Sequence, residues 1–379
     1  MMNKPYRVIV CGTRFGEHYL AALSRQSSEF QLAGIVARGS ERSRLLAQQL
    51  QVPLYTQVDQ LPADIDLACV AIRSRIVGGE GSTIAGQLLQ RAIAVLQEHP
   101  VHLSDIRRLQ ILAQQHGVRY HVNTLYPVLP AVASFIDYAR QSASRQRPAF
   151  IELTTSLQLL YSSLDIISRA IGGLAPVTCH THQLPPRAPN APLWPFRQMQ
   201  AEFAGIPVCI NLQTTLDPRD PDHHSLVMHR ITIGGTEGNV CLTSSFGPVV
   251  WSHSIYAPDY QQDGVASSWL LSPELHRDSH YNQQPTGIVF GAAVAPNLID
   301  ATQHDFPIAI LSALRDLVAD NEPWWQSAEG WQQHGEAWIT LMRNAGVPQT
   351  TVFSAPVKPF PDPREYAAQL VTDNPHGKH

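Results

Sequence analysis

The first 125 residues alternate short β-branched runs with stretches of helical apolar spacing, a pattern that a doubly wound parallel sheet accommodates. Strand candidates are Arg7 to Cys11, Gln31 to Ala37, Asp66 to Ile72, Ala92 to Gln97 and Val118 to Asn123. Between them apolar residues recur at helical spacing: Tyr19, Leu20 and Leu23; Leu45, Leu46 and Leu50; Ile84, Leu88 and Leu89; Ile106, Leu109 and Leu112. Ser104 is read as the N-cap of the last helix and Gly117 as its stop.

Beyond Asn123 the texture changes. A helix from Val132 to Arg140 leads into a run at Ala149 to Leu157 and a second helix around Leu159 to Ile171. Strand-like segments then follow at Val208 to Leu216, Leu226 to Ile233, Asn239 to Thr243 and Val249 to Ile255, which predicts an open, mainly antiparallel sheet. Leu184 to Pro195 reads as a Pro-rich loop, Asp217 to Asp222 as a connection, and Ile308 to Ala319 as a closing helix before a proline-rich tail. The expected architecture is an α/β Rossmann domain over 1–125, an α+β domain for substrate and dimerisation over 126–345, and a tail over 346–379.

A hydrophobic fraction of 44% supports packed cores, and a formal net charge of -4 leaves no basic field for nucleic acid. Five scattered cysteines form no Cys-x-x-Cys pair, which fits a reducing compartment. No apolar run is long enough for a bilayer span or signal peptide, so the expectation is a cytoplasmic protein without a membrane partner. His180-Thr181-His182 and His223-His224 lack metal-ligand spacing and read as solvated loop residues, so no metal site is expected.

The step from first strand to first helix is Cys11-Gly12-Thr13-Arg14-Phe15-Gly16-Glu17. Only Gly16 is in register with G-x-G-x-x-G, yet the segment follows a strand and opens a helix, where backbone N–H groups meet a pyrophosphate. Gly12, Thr13, Arg14, Phe15 and Gly16 are therefore candidate cofactor-binding residues. After the next strand, Arg38, Gly39, Ser40 and Arg42 suit a 2′-phosphate better than a ribose diol, which predicts NADPH although Glu41 dissents. Arg73 and Ser74, with the loop Gly78-Gly79-Glu80-Gly81, should border the cofactor, the loop being either a flap or a plain connection. Glu98 and Asn123, at later strand tips, complete the candidate cofactor set.

Glu98-His99-Pro100 and Asn123-Thr124-Leu125-Tyr126-Pro127 open on the same crevice, so His99 and Tyr126 are the candidate catalytic residues. The layout resembles the glucose-fructose oxidoreductase, inositol dehydrogenase and rhizopine-catabolism superfamily, whose Glu-Lys-Pro is matched here by Glu98-His99-Pro100. Its sugar-oxidising members carry His-x-x-Asp on a substrate-domain helix; Ser162 stands at that histidine's place, ahead of Asp165. A serine lacks an accessible pKa for general-base work without a second activating group, which disfavours alcohol oxidation.

Phe15-Gly16-Glu17, Arg73-Ser74 with Gly78-Gly79-Glu80-Gly81, Glu98-His99-Pro100, Asn123 to Pro127, and Leu159-Leu160-Tyr161-Ser162-Ser163-Leu164-Asp165 occur in order. Together they resemble the thiazolinyl imine reductases of siderophore assembly, of the yersiniabactin and pyochelin type. The resemblance implies NADPH-dependent reduction of a thiazoline C=N to a thiazolidine, on a substrate tethered to a carrier domain of a nonribosomal peptide synthetase. His99 is the first choice as proton donor and Tyr126 the second. His102 reads as a turn residue and Asp165 as one that orients neighbours. An NADP-dependent sugar or cyclitol dehydrogenase and a non-catalytic dinucleotide-binding protein stay open as alternatives. A homodimer is expected to cover the exposed sheet face.

Overall fold

The computed structural model describes residues 4–25, 28–182, 193–220, 225–254, 285–291, 294–354 and 358–373. Six parallel strands form the first sheet: β1 (Tyr6–Cys11), β2 (Phe30–Val36), β3 (Leu54–Tyr55), β4 (Leu67–Val70), β5 (Ala94–Glu98) and β6 (Tyr120–Asn123). Their order is β3-β2-β1-β4-β5-β6, so the direction of winding reverses between β1 and β4 and leaves a crevice at their carboxyl ends. The central strands are buried on both faces, which is why they read as continuous apolar runs. The two-residue β3 is too short for a periodicity to reveal.

Helices α1 (Gly16–Leu23), α2 (Glu41–Gln49), α3 (Gly81–Gln90) and α4 (Leu103–Gln115) link these strands. Tyr19, Leu20 and Leu23 are buried as their spacing predicts. On α2 the expectation holds in part: Leu46 and Leu50 pack half-buried against the core, but Leu45 is exposed and the buried positions are Ser43 and Ala47. His102, not Ser104, caps α4, its Nδ1 accepting from the Ser104 N–H at 3.2 Å. Gly117 follows that helix with φ 68, the conformation expected of a stop.

After α5 (Pro130–Arg145) comes an eight-stranded sheet: β7 (Phe150–Ser156), β8 (Val177–Thr181), β9 (Phe196–Phe203), β10 (Ile206–Gln213), β12 (Arg230–Gly234), β13 (Gly238–Leu242), β14 (Val249–His253) and β15 (Gly287–Phe290). Its order is β15-β14-β13-β12-β7-β10-β9-β8, and only β7 and β10 run parallel. Helix α6 (Leu160–Ile171), which leaves the end of β7, is buried almost all round. The expected strand from Val208 to Leu216 ends early, because β11 (Thr215–Leu216) peels away to pair with β16 (Gln349–Thr350) in a separate ladder.

Strands β8 and β9 were not expected, and His180 and Thr181 lie in β8 rather than in a loop. Most of the Pro-rich stretch between them, together with His223 and His224, lies outside the described residues. Two later helices, α7 (Phe306–Val318) and α8 (Ala328–Ala345), return to the first sheet: α7 packs on α1, β5 and β6, and α8 on α4 and α6. The tail is not a bare extension, since β16 joins β11 and α9 (Pro363–Asp373) follows.

Helix α8 was illegible because its glycines interrupt the apolar spacing. They serve close approach instead: a Cβ on Gly335 would stand 2.8 Å from the Cβ of Leu103, and one on Gly330 only 2.4 Å from the Trp324 carbonyl. No described helix is long and apolar enough to cross a membrane.

Candidate active site

Gly12 turns the chain out of β1 with φ 96, and a Cβ there would lie 2.7 Å from the Ala71 carbonyl oxygen. The crevice therefore opens beside backbone that no side chain can fill. Gly16 starts α1, and Phe15 at its N-cap supplies no side-chain cap hydrogen bond; the Glu17 and His18 N–H groups donate to the Arg14 and Phe15 carbonyls at 3.1 Å, so it is the Gly16 N–H and the positive end of the helix that face an anion. The residues from Gly12 to Gly16 thus fit the pyrophosphate of a dinucleotide.

Ser40 caps α2, its Oγ accepting from Ser43 N–H at 3.3 Å. Arg42 donates to the Thr13 carbonyl at 3.1 Å and is paired with Glu17; Arg38 is paired with Glu80 at 2.9 Å. Both expected phosphate ligands are thus held by carboxylates, but in exposed pairs of the kind that contribute little and exchange readily for another anion. The Gly-rich loop folds back on its own strand end. Gly81 N–H donates to the Arg73 carbonyl and Gly79 N–H to that of Ser74, both at 2.9 Å, while the Ser74 hydroxyl donates to the Pro100 carbonyl at 2.5 Å.

Strand register sets Glu98 beside Asn123, and the His99 N–H donates to the Asn123 carbonyl at 3.1 Å. The His99 ring keeps Nδ1 on this inner side, 2.9 Å from a Glu98 carboxylate oxygen and 3.1 Å from the Asn123 carbonyl. Nδ1 consequently carries the hydrogen in a neutral ring, and Nε2 bonds to no described residue. Beneath it lies the Tyr161 ring, nearly parallel at 5.8 Å between centroids. Tyr161 is itself backed by Trp331, His334 and Trp338 of α8.

Glu98 and Asn123, expected among the cofactor contacts, have side chains bonded within the protein. The Tyr19 hydroxyl donates to Glu98, the Asn123 amide donates to that hydroxyl at 2.6 Å, and the Asn123 side-chain oxygen accepts from Leu125 N–H at 3.0 Å. Their polar atoms are engaged within the protein, so they hold the catalytic candidates in place. The turn that follows is strained: Leu125 has φ 62 and ψ -56, and Tyr126 N–H donates to the Thr124 carbonyl at 2.7 Å, a γ-turn. That turn swings the phenol back towards His99, with ring centroids 6.4 Å apart. Burial, and then the Glu98 carboxylate, push the Tyr126 phenol well above its ordinary value, so it stays protonated as a donor.

Asp165 accepts from the Thr124 hydroxyl at 2.5 Å and, with both carboxylate oxygens, from Nε and Nη2 of Arg169, tying α6 to the β6 turn. Burial alone would raise its pKa; Arg169, followed by weaker partners, brings it below the usual carboxylate range. Sequence reasoning missed His229. This fully buried residue before β12 places Nε2 2.8 Å from the Ser162 hydroxyl and its ring 4.4 Å from that of Tyr126. No spacing rule links residues 67 apart, and only the pairing of β12 with β7 brings them together.

No curated protein sequence matches the chain. Solved structures do. GenD2 from gentamicin A biosynthesis, in complex with NAD, superposes with TM-score 0.61 at 16% identity, covering 91% of this chain and 95% of its own. UDP-N-acetylglucosamine 3-dehydrogenase GnnA from Acidithiobacillus ferrooxidans gives 0.60 at 14%, with 89% and 97% covered. The 3-ketoreductase KijD10 from Actinomadura kijaniata, in complex with TDP-benzene and NADP, gives 0.61 at 13%, with 92% and 100% covered. At such identities they establish the fold alone. Two family descriptions match in series: the oxidoreductase family with an NAD-binding Rossmann fold over residues 6–124, and the thiazolinyl imine reductase Irp3-like C-terminal family over residues 146–252. The chain is accordingly a nicotinamide-dinucleotide-dependent oxidoreductase whose parallel sheet matches the first of these families and whose larger sheet is similar to the second.

Proposed function

We propose that the protein reduces the C=N bond of a thiazoline to a thiazolidine with NADPH, the substrate being tethered to a carrier domain of a nonribosomal peptide synthetase. The observation that carries this reading is that His99 Nε2 and the Tyr126 hydroxyl, both without described partners, belong to neighbouring rings at the strand tips. The Irp3-like match over the second sheet supports the substrate class.

Gly12 to Gly16 would hold the pyrophosphate, and Arg38, Ser40 and Arg42 the 2′-phosphate. The nicotinamide, when bound, supplies a hydride for the imine carbon. As that carbon is reduced, negative charge gathers on the ring nitrogen, which takes one proton to become N–H. His99 is the first candidate to deliver it: as an imidazolium it carries a proton on Nε2 while Glu98 and Asn123 hold its Nδ1–H, and giving up the Nε2 proton leaves the neutral ring; Tyr126 is the second, as a stable neutral phenol. Alcohol oxidation needs an accessible base instead. Ser162 is buried, and the imidazole beside it is buried with both nitrogens engaged, which weighs against a sugar or cyclitol dehydrogenase.

A homodimer through the outward face of the eight-stranded sheet, where Cys209 and Val289 are exposed, completes the proposal. Elution as a monomer would remove that part. The central test follows NADPH consumption on a carrier-loaded or free thiazoline, with His99→Ala and Tyr126→Phe compared at equal cofactor affinity. Loss of about a hundredfold or more in one variant assigns the donor. Cofactor binding without turnover on an authentic tethered thiazoline would overturn the reading.

A further inference from the structure

We infer that His229 is a positioning residue for the reaction: clamped between the Ser162 and Ser245 hydroxyls, its ring fixes the Tyr126 phenol in the cleft. The inference rests on the imine-reductase reading for its kinetic consequence.

Hydrogen-bond accounting settles the ring's state. The Ser162 hydroxyl donates to the Leu159 carbonyl at 3.1 Å, and a hydroxyl has one hydrogen, so His229 Nε2–H donates to Ser162 at 2.8 Å. Nδ1 then accepts from the Ser245 hydroxyl at 2.7 Å. Both nitrogens are satisfied and the ring is fully buried, so it touches no substrate and offers no proton. Burial, and then the neighbouring His99, lower its pKa to about 3, in keeping with a neutral ring.

What remains is its face, which lies 4.4 Å from the Tyr126 ring at a tilt of 53°. A leucine would fill the same space without three buried polar groups. The hydroxyls add rotational definition, since they allow the imidazole one orientation, and a ring of fixed orientation fixes the ring packed on it. His99 flanks Tyr126 edge-on at 6.4 Å, so a strained turn and two imidazoles determine where the phenol points.

The test uses the full-length protein with NADPH and a 2-substituted thiazoline. His229→Leu should lower kcat about tenfold or more with KM for the thiazoline within about threefold, as expected when a donor is misplaced rather than binding lost. In a Tyr126→Phe background the same substitution should have no further effect; losses that multiply would overturn the inference. Should His229→Leu fail to fold, Ser245→Ala serves, with Ser245→Thr restoring kcat. A second readout needs no substrate: the ¹³Cζ resonance of Tyr126, assigned by its loss in Tyr126→Phe, should shift or broaden in His229→Leu or Ser245→Ala. An unchanged resonance overturns the inference. If the wild-type protein consumes no NADPH on a thiazoline, the proposed function fails, while the resonance still decides the part played by His229.

Discussion

The Nδ1 atom of His99 lies 2.9 Å from the Glu98 carboxylate, and the Tyr19 hydroxyl holds that carboxylate from its other side. Adjacent residues rarely turn their side chains to the same side of a strand; here the chain leaves β5 after Glu98, which frees the His99 ring to fold back. Glu98→Gln keeps the shape and removes the charge. In the proposed reading, where the carboxylate serves His99 as donor, the substitution should lower kcat about tenfold with dinucleotide affinity unchanged. A change confined to the KM for NADPH, measured by steady-state kinetics, would show the reverse.

In the proposed reading Arg38 and Arg42 exchange their partners Glu80 and Glu17 for a 2′-phosphate. Arg42→Ala should raise the Kd for NADPH about tenfold, in line with the loss of one charge-assisted hydrogen bond, and leave that for NADH within about twofold. Calorimetric titration of both dinucleotides decides it; equal losses for the two would refute a phosphate role.

Trp331 joins the α8 helix to β6, the buried edge strand of the first sheet. Its indole N–H donates to the Gln326 side-chain oxygen at 3.0 Å, and the Gln326 amide bonds both the N–H and the carbonyl of Val122 in β6. The amide acts as a substitute strand. Trp331→Ala should destabilise the protein by about 3–5 kcal/mol and speed hydrogen exchange at Val122. Protection at Val122 equal to wild type would separate the two effects.

Stability should fall with acid through His229. Its ordinary pKa of 6.5 drops to about 3 in the folded protein, first through burial and then through His99. Between those values the unfolded chain binds the proton and the folded one does not, so this contribution is complete above about pH 6.5 and is lost as pH falls towards 3. From pH 7 to pH 5 the wild type should lose about 2 kcal/mol more than His229→Leu, measured by urea unfolding. Buried His334, its pKa also lowered, acts in the same direction in both proteins. Parallel pH profiles for the two proteins would contradict the assignment.

The sequence by itself determined the parallel sheet, since strands buried on both faces and helices buried on one carry their periods locally. Motifs at strand ends likewise placed His99 and Tyr126 at one crevice, because in a doubly wound sheet all parallel strands end on the same side. Only the tertiary structure decided that α8 backs the site, that Glu98 and Asn123 support it from within, and that His229 meets Ser162. Those relations join residues far apart in the chain, through glycines that permit close packing and strand pairings whose partners no local pattern specifies.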